Sequence, residues 1–172
     1  MKRDLSNEID LTEALQHSFE SDYQRPPNRI SVSAVYGLLE SWEDRPPDLL
    51  GMIRMTEGRA KHKMIQELLP QYQHEVKIEY PFGNLVLVGK ADCVGEDHIL
   101  EIKTSRELKD KAKEWEVCQA KLYCSLFEKP ECWICQPCFT GEKLYLKILR
   151  RVKRNEDWFK ETLQTLTNKI KL

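Results

Sequence analysis

Charged side chains that could perform hydrolysis are concentrated in the middle of the chain, between Asp92 and Lys103. Glu101 and Lys103 are two residues apart in a strand-like run, so a strand would point both side chains to one face. If 85–94 and 98–104 pair as a hairpin, Asp92 comes close to Glu101. Two carboxylates can hold a hard divalent cation, and an ammonium can orient or deprotonate a water. This chemistry suits the hydrolysis of phosphodiester bonds.

The elements that must position these side chains follow from the hydrophobic pattern. Apolar residues recur with a period near two from Val76 onwards, which predicts a meander of strands separated by short polar turns. Runs with a helical period lie on both sides of this meander. The predicted elements are helices at 49–69, 108–127 and 156–170 and strands at 76–80, 85–94, 99–104, 131–139 and 143–152. This order predicts an α/β fold with a central sheet flanked by helices.

The N-terminal part is expected to add helices to this core. A polar amphipathic helix over about 11–19 is predicted to end before the proline pair at 26–27, because proline breaks a helix. The serines in 30–33 are predicted to cap a second helix that continues through Trp42. A further proline pair at 46–47 separates that helix from the long helix that precedes the meander.

Two further motifs lie on the helices that flank the meander. Gly58-x-x-x-His62 lies on the helix before it, and Gln119-x-x-x-Tyr123 lies on the helix after it. Residues four apart share one face of a helix, so Gln119 and Tyr123 project together. In chain order the motifs are Gly-x-x-x-His, Asp, Glu-x-Lys and Gln-x-x-x-Tyr, and this series over 30–155 resembles the PD-(D/E)xK nuclease superfamily. More narrowly, it looks like the RecB-type branch that includes the CRISPR-associated RecB-like exonucleases.

The resemblance implies a restriction-endonuclease-like core with a mixed sheet, and the activity of a metal-dependent deoxyribonuclease. It implies Mg²⁺ or Mn²⁺ as the cofactor and DNA as the partner. The site residues that it implies are the metal ligands His62, Asp92, Glu101 and the carbonyl of Ile102, the catalytic residues Asp92, Glu101 and Lys103, and Gln119 and Tyr123, which would position the lysine or contact the DNA backbone. A nearby cation would also lower the pKa of Lys103.

Each of these residues also has a structural interpretation. The alternatives are a turn cap for Asp92, a cross-strand surface pair for Glu101 with Lys103, a hydrogen-bonded helix histidine for His62, and ordinary helix surface for Gln119 and Tyr123. Two acids upstream of the motif, Glu75 and Glu79, fit a solvent-facing strand edge better than they fit the site. What favours the site over these alternatives is the series of motifs in one order, on the expected elements.

The cysteines depart from the pattern of the relatives that this chain resembles. Many of the CRISPR-associated relatives hold an iron–sulfur cluster (4Fe–4S), with one cysteine near the N-terminal helix, and the first 92 residues here contain none. Cys132-x-x-Cys135-x-x-Cys138 has the spacing of cluster ligands. On a strand, however, that spacing directs Cys132 and Cys138 to one face and Cys135 to the other. We therefore expect buried structural thiols and no 4Fe–4S cluster.

Length and charge set the outer limits. The 172 residues predict a single nuclease domain, with an extension at 1–29, the core at 30–155 and a C-terminal helix at 156–172. A formal net charge of −1 gives no bulk electrostatic argument for binding of nucleic acid. Basic residues cluster at 106–113 and 143–154, where they could contact a phosphate backbone or form solvated surface.

We expect an intracellular, cytoplasmic protein without a membrane partner, since neither a membrane-spanning run nor a signal peptide is evident.

The leading hypothesis is a metal-dependent DNA exonuclease that acts on DNA ends or single strands, because the Gln-x-x-x-Tyr signature belongs mostly to end-processing members. An endonuclease or junction-processing enzyme is the alternative within the same class. A catalytically silent DNA-binding or assembly module is the alternative from another class, and a zinc- or cluster-bearing interaction protein comes third. The sequence leaves the oligomeric state open, since the C-terminal helix could close the core or form a dimer face in a homo-oligomer.

Overall fold

A mixed sheet of six strands lies at the centre of the computed structural model, which describes residues 10–23, 26–42 and 46–170. The helices are α1 (Thr12–Tyr23), α2 (Val35–Leu39), α3 (Leu49–Glu67), α4 (Glu114–Leu126) and α5 (Glu156–Lys169), and the strands are β1 (Arg29–Ser31), β2 (Gln73–Phe82), β3 (Leu85–Val94), β4 (His98–Ile102), β5 (Glu131–Thr140) and β6 (Lys143–Lys153). The predicted mixed sheet flanked by helices is confirmed, as is a helix near the start of the described chain. The part of the predicted N-terminal extension at 1–9 lies outside the described residues.

Strand β3 organises the sheet because it pairs with three other strands. β2 pairs with it antiparallel along its whole length, so β1 and β4 must share its other edge. β1 runs parallel to the start of β3 as far as Val88, and β4 runs antiparallel to its end through only two residue pairs, beginning at Cys93. The stretch of β3 from Gly89 to Asp92 therefore has no strand on that edge. β4 is parallel to β5, and β5 is antiparallel to β6.

Two apolar clusters cover the two faces of the sheet. The larger cluster joins the sheet to α2, α4 and α5, and includes Ile99 of β4. The smaller cluster joins the sheet to α3 and includes Leu100, the next residue of β4. Because neighbouring residues of a strand point to opposite faces, the two clusters lie on opposite sides of the sheet. Of the helices in the described ranges, none has the length and apolar character needed to cross a membrane.

The predicted serine caps at 30–33 are wrong. Ser31 belongs to β1, which pairs with β3, and its side chain makes no capping hydrogen bond. Its hydroxyl lies instead 3.1 Å from the hydroxyl of Ser33. The helix that follows is a 3-10 turn (Val32–Ala34) and the short α2, and α2 ends before Trp42. Pairing with a distant strand has outweighed the local capping preference of serine.

The helix predicted from 108 begins six residues later, at Glu114. The intervening residues form a loop that is fixed from outside. Buried Gln136 of β5 accepts a hydrogen bond from the Lys109 amide (2.9 Å) and donates one to the Glu107 carbonyl (2.8 Å). Buried Glu116 accepts the Lys113 amide (2.8 Å), which caps α4 at its start. The loop between β4 and α4 is therefore well anchored, although it is irregular.

Candidate active site

The two central carboxylates lie where β3 and β4 diverge. The backbone pairing of these strands ends at Cys93 with Leu100. One residue further, side chains take over from backbone groups: the Asp92 amide donates to Oε1 of Glu101 (3.2 Å), and the Ile102 amide donates to Oδ2 of Asp92 (2.7 Å). The hairpin expected from the sequence therefore brings Asp92 and Glu101 together. Ile102 meets Asp92 through its backbone, while its side chain packs in the smaller cluster.

Burial makes this pair of carboxylates electrostatically costly. Asp92 is 9% exposed and Glu101 is 1% exposed. Burial raises the pKa of Glu101, the charge of Asp92 raises it further, and Lys103 offsets part of the increase. Two close acids in a dry pocket favour binding of a positive charge, because a cation offsets both the burial and the repulsion.

Lys103 provides one such positive charge. Its ammonium donates to Oε2 of Glu101 (3.0 Å) and to Oε1 of Gln119 on α4 (2.7 Å). Burial lowers the pKa of Lys103, but the nearby carboxylates of Glu101 and Asp92 outweigh burial, and the pKa is raised. The lowered pKa expected from the sequence depended on a bound cation; the side chains of the protein by themselves produce the opposite direction. Gln119 thus contacts the lysine, as one of its two expected roles requires.

Tyr123 lies one helical turn after Gln119 and contacts the unpaired edge of β3. Its hydroxyl donates to the carbonyl of Lys90 (2.9 Å) and accepts from the amide of the same residue (3.2 Å). The ring passes so close to Gly89 that an added Cβ there would lie 2.8 Å from it. Tyr123 therefore supplies the hydrogen bonds that a neighbouring strand would give to this part of β3, a structural contact that the sequence did not predict.

His62 reaches the carboxylates from α3. Its Nδ1 lies 3.4 Å from Oδ1 of Asp92. Burial lowers the pKa of His62, but the hydrogen bond to Asp92 and the charge of that residue outweigh burial, so the pKa is raised. Gly58, one turn earlier, lets the helix approach the end of β4, since an added Cβ would lie 2.9 Å from the hydroxyl of Thr104. In the Gly-x-x-x-His motif, Gly58 thus lets α3 pack closely against the sheet, and His62, one turn later, places its imidazole beside Asp92.

Glu75 of β2, one of the two upstream acids that fit a solvent-facing strand edge better than the site, lies beside this site although 39% of its side chain is exposed. Ligand atoms of His62, Glu75 and Asp92 all lie within 4.8 Å of one another. Glu75 stands opposite Asp92 in the register of β2 with β3, between the pairs on either side of it. The strand predicted from 76 stopped one residue short of it. Extending that strand, and asking which residue faces Asp92, would have identified Glu75.

This donor set fits a divalent cation of the Mg²⁺ or Mn²⁺ type. Carboxylate oxygens are the ligands that both ions prefer, and one imidazole suits Mn²⁺ in particular. His62, Glu75 and Asp92 have ligand atoms close enough to one another to share one ion. The oxygens of Glu101 are next to these residues, but one accepts the Asp92 amide and the other accepts Lys103. Each of these oxygens keeps a further lone pair, so Glu101 could join the set.

The cysteines are buried structural thiols by position. All six are buried and free of disulfide bonds. Cys132 packs in the larger apolar cluster and Cys135 in the smaller one, on the opposite face of the sheet, as the strand period predicted. Within the described ranges, the three-residue group around His62 is the only set of histidine, cysteine and acidic side chains with ligand atoms this close together.

Much of the basic cluster at 106–113 is engaged within the protein. Arg106 forms an ion pair with Glu57 of α3 (3.0 Å). The Lys109 ammonium forms one with buried Glu116 (2.7 Å). From the second basic cluster, Lys147 donates to the carbonyl of Lys109 (2.7 Å). These three side chains hold the loop after β4 in place, so their structural role is established by contact.

Solved structures that share this arrangement of elements include two proteins. The crystal structure of a protein named SSO0001 is 18% identical, with 94% of this chain and 87% of that chain covered and a TM-score of 0.56. An alkaline exonuclease, LHK-Exo, from Laribacter hongkongensis is 12% identical, with 92% and 90% covered and a TM-score of 0.58. LHK-Exo in complex with dAMP gives 14% identity, 83% and 86% coverage and a TM-score of 0.59. No protein-family model matches the chain, and a comparison with curated proteins finds no significant match.

At these identities the likeness establishes the fold. The central mixed sheet with helices on both faces is that of a restriction-endonuclease-like core, and the fold class predicted from the sequence is confirmed.

Proposed function

We propose that this chain is a divalent-cation-dependent nuclease that hydrolyses phosphodiester bonds of DNA. The observation that carries the proposal is the buried group of Asp92, Glu101 and Lys103 at the divergence of β3 and β4, in a fold shared with an alkaline exonuclease. A structural ion pair alone would not require a second buried carboxylate, since Asp92 adds repulsion that the fold must overcome.

The side chains divide the work in this proposal. His62, Asp92 and Glu101, with the Ile102 carbonyl, would hold Mg²⁺ or Mn²⁺, which when bound would activate water and stabilise negative charge on the phosphate. Lys103 would orient the attacking water. Its ammonium is fixed by hydrogen bonds to Glu101 (3.0 Å) and Gln119 (2.7 Å). The lysine side chain therefore loses little conformational entropy when it reaches the reactive geometry.

The finer assignment is an exonuclease of the RecB-like branch of the PD-(D/E)xK superfamily, related to the CRISPR-associated RecB-like exonucleases, with residues 1–172 forming a single nuclease domain. The order of the motifs along the chain supports this branch. LHK-Exo has been crystallised in complex with dAMP, which supports nucleotide binding in a fold of this kind. DNA ends or single strands are the proposed substrates.

The test is cleavage of DNA labelled at the 5′ or the 3′ end, single- or double-stranded, with Mg²⁺, Mn²⁺ or EDTA. We expect cleavage with either ion and none in EDTA. Asp92→Asn and Lys103→Met should each reduce the rate by roughly 100-fold or more, the scale of a lost acid–base or metal-holding group. The exposed residues Asp97 and Lys160 provide matched controls, since Asp97→Asn and Lys160→Met should leave the rate unchanged.

The labels also separate the alternatives. Release of mononucleotides from one labelled end supports an exonuclease, whereas internal fragments indicate an endonuclease or junction-processing enzyme. DNA binding without cleavage under any condition would identify a catalytically silent binding module. Cleavage that persists in EDTA, or in both site variants, would overturn the proposed mechanism.

A further inference from the structure

We infer that Glu75 is a ligand of the divalent cation, and that the Lys90 ammonium competes with the cation for its carboxylate. The inference rests on the proposed metal-dependent function. It adds to the site a residue that the motifs of the resembled family do not contain. Its basis is the position of Glu75 beside His62 and Asp92, with ligand atoms within 4.8 Å of one another.

The backbone of β2 departs from regular strand geometry at Glu75. Its φ is +54°, in the left-handed region that non-glycine residues rarely adopt. Pairing with β3 is kept on both sides, at His74 with Cys93 and at Val76 with Ala91. A residue in this conformation is held against a conformational preference, and such positions are concentrated at functional sites.

A buried amide fixes one oxygen of this carboxylate. Nε2 of Gln66, on α3, donates to Oε1 of Glu75 (2.8 Å) and to the carbonyl of Asp92 (2.9 Å). Gln66 is 5% exposed, so its amide is held where both bonds are made. It therefore ties Glu75 to the strand that carries the central carboxylate, in the way that outer residues of metal sites orient the ligands.

The other oxygen of Glu75 pairs with the Lys90 ammonium. The Lys90 side chain is 51% exposed, so it can leave at small cost, and exposed ion pairs contribute little to stability. A divalent cation would offer Glu75 twice the charge, together with His62 and Asp92. One oxygen fixed by a buried amide and one held by a displaceable lysine is an arrangement suited to reversible binding of a cation.

Glu79 shows what an acid on the same strand looks like without this role. It pairs with Arg29, and its side chain is 61% exposed. It belongs to no group of histidine, cysteine and acidic ligand atoms in the described part of the chain. Glu79 thus matches Glu75 in residue type and strand, and provides the control.

The test is a calorimetric titration of the full chain, stripped with a chelator, with Mn²⁺ and without DNA. Glu75→Gln should raise the Kd for Mn²⁺ at least tenfold, and Glu79→Gln should leave it unchanged. Lys90→Met should lower the Kd several-fold. In the background of Glu75→Gln, however, Lys90→Met should have no effect, because the carboxylate for which it competes is gone.

A second variant distinguishes loss of a metal ligand from damage to the fold. Glu75→Gly removes the carboxylate and suits the left-handed backbone, so it should raise the melting temperature while weakening Mn²⁺ binding. An unchanged Kd in both Glu75 variants, with binding weakened by Asp92→Asn, would overturn this inference and leave the proposed function intact. Unchanged binding in Asp92→Asn as well would overturn the metal site itself.

Discussion

Among the described residues, two lysine–glutamate pairs have a buried glutamate, and they are built in different ways. Lys103 pairs with Glu101 at the end of β4 (3.0 Å), and Lys109 pairs with Glu116 between the following loop and α4 (2.7 Å). Both glutamates are 1% exposed. The two pairs are joined by a short stretch of chain, so they share much of their environment.

The difference lies in what surrounds each glutamate. Glu116 uses one oxygen for the Lys109 ammonium and the other for the Lys113 amide. Glu101 lies beside Asp92, whose charge adds to burial in raising its pKa. The first arrangement is saturated and serves stability. The second leaves excess negative charge that a further cation would compensate, which is what a binding site requires.

The largest effect on cleavage should follow from removing the charge of Glu101 in the Lys103–Glu101 pair. Glu101→Gln is expected to reduce DNA cleavage by roughly 1,000-fold, about 4 kcal/mol, because a proposed ligand is lost. Its folding stability in EDTA at pH 8 should stay the same or rise. A raised pKa in the folded state means that the ionised carboxylate opposes folding above that pKa, and Gln removes this opposition.

Urea unfolding across pH 5 to 8 measures this directly. The stability advantage of the Glu101→Gln variant over the parent should grow as the pH rises through the raised pKa and then level off. Marked destabilisation of this variant at pH 8 would show that Glu101 is a structural residue like Glu116, and the contrast between the pairs would disappear.

Removing the charge of Glu116 in the Lys109–Glu116 pair should have the opposite result: stability should fall and cleavage should hardly change. Glu116→Gln should lower the free energy of unfolding by about 3 kcal/mol, since it leaves the partly buried Lys109 ammonium without its buried carboxylate. Cleavage measured well below the melting temperature should stay within a few fold of the parent. The double variant with Lys109→Met should recover part of the loss, as a double-mutant cycle in urea can show.

The smallest effect should come from the neutral support of the same loop. Gln136→Ala removes the acceptor of the Lys109 amide and the donor to the Glu107 carbonyl. A loss of about 1–3 kcal/mol is expected for these buried hydrogen bonds, without a change in the Kd for Mn²⁺. Thermal melting with metal titration on the same samples tests both statements. Weakened Mn²⁺ binding would mean that the loop also positions the site.

What the sequence predicted well depends on local periodicity. The bounds of β3 match the prediction at 85–94, because an apolar run begins at Leu85 and glycine-containing turns bound the strand on both sides. The proximity of Asp92 and Glu101 followed from the short hairpin between their strands. Residues that share a strand pair or one face of a helix, such as Gln119 and Tyr123, were likewise within reach of sequence reasoning.

What the sequence missed depends on distant contacts. The segment before Glu114 has good helix-forming residues, but the buried side chain of Gln136, more than 20 residues further along the chain, holds it as a loop. Glu75 was assigned to a solvent-facing edge because the predicted strand began at Val76, one residue after it, so its register against Asp92 was not followed. The first of these errors arises where tertiary structure overrides a local preference.

Burial of the thiols also bears on how the protein survives storage in air. Burial raises the pKa of Cys93 and Cys135 to about 12 and the pKa of Cys118 to about 11, so these three residues carry almost no thiolate in the folded chain at neutral pH. Thiolate is the form that oxidants attack, so folding protects these three thiols from oxidation. Unfolding would expose them, and disulfides formed in the unfolded chain would prevent refolding. We therefore expect the lifetime of the protein in air to follow its unfolding rate.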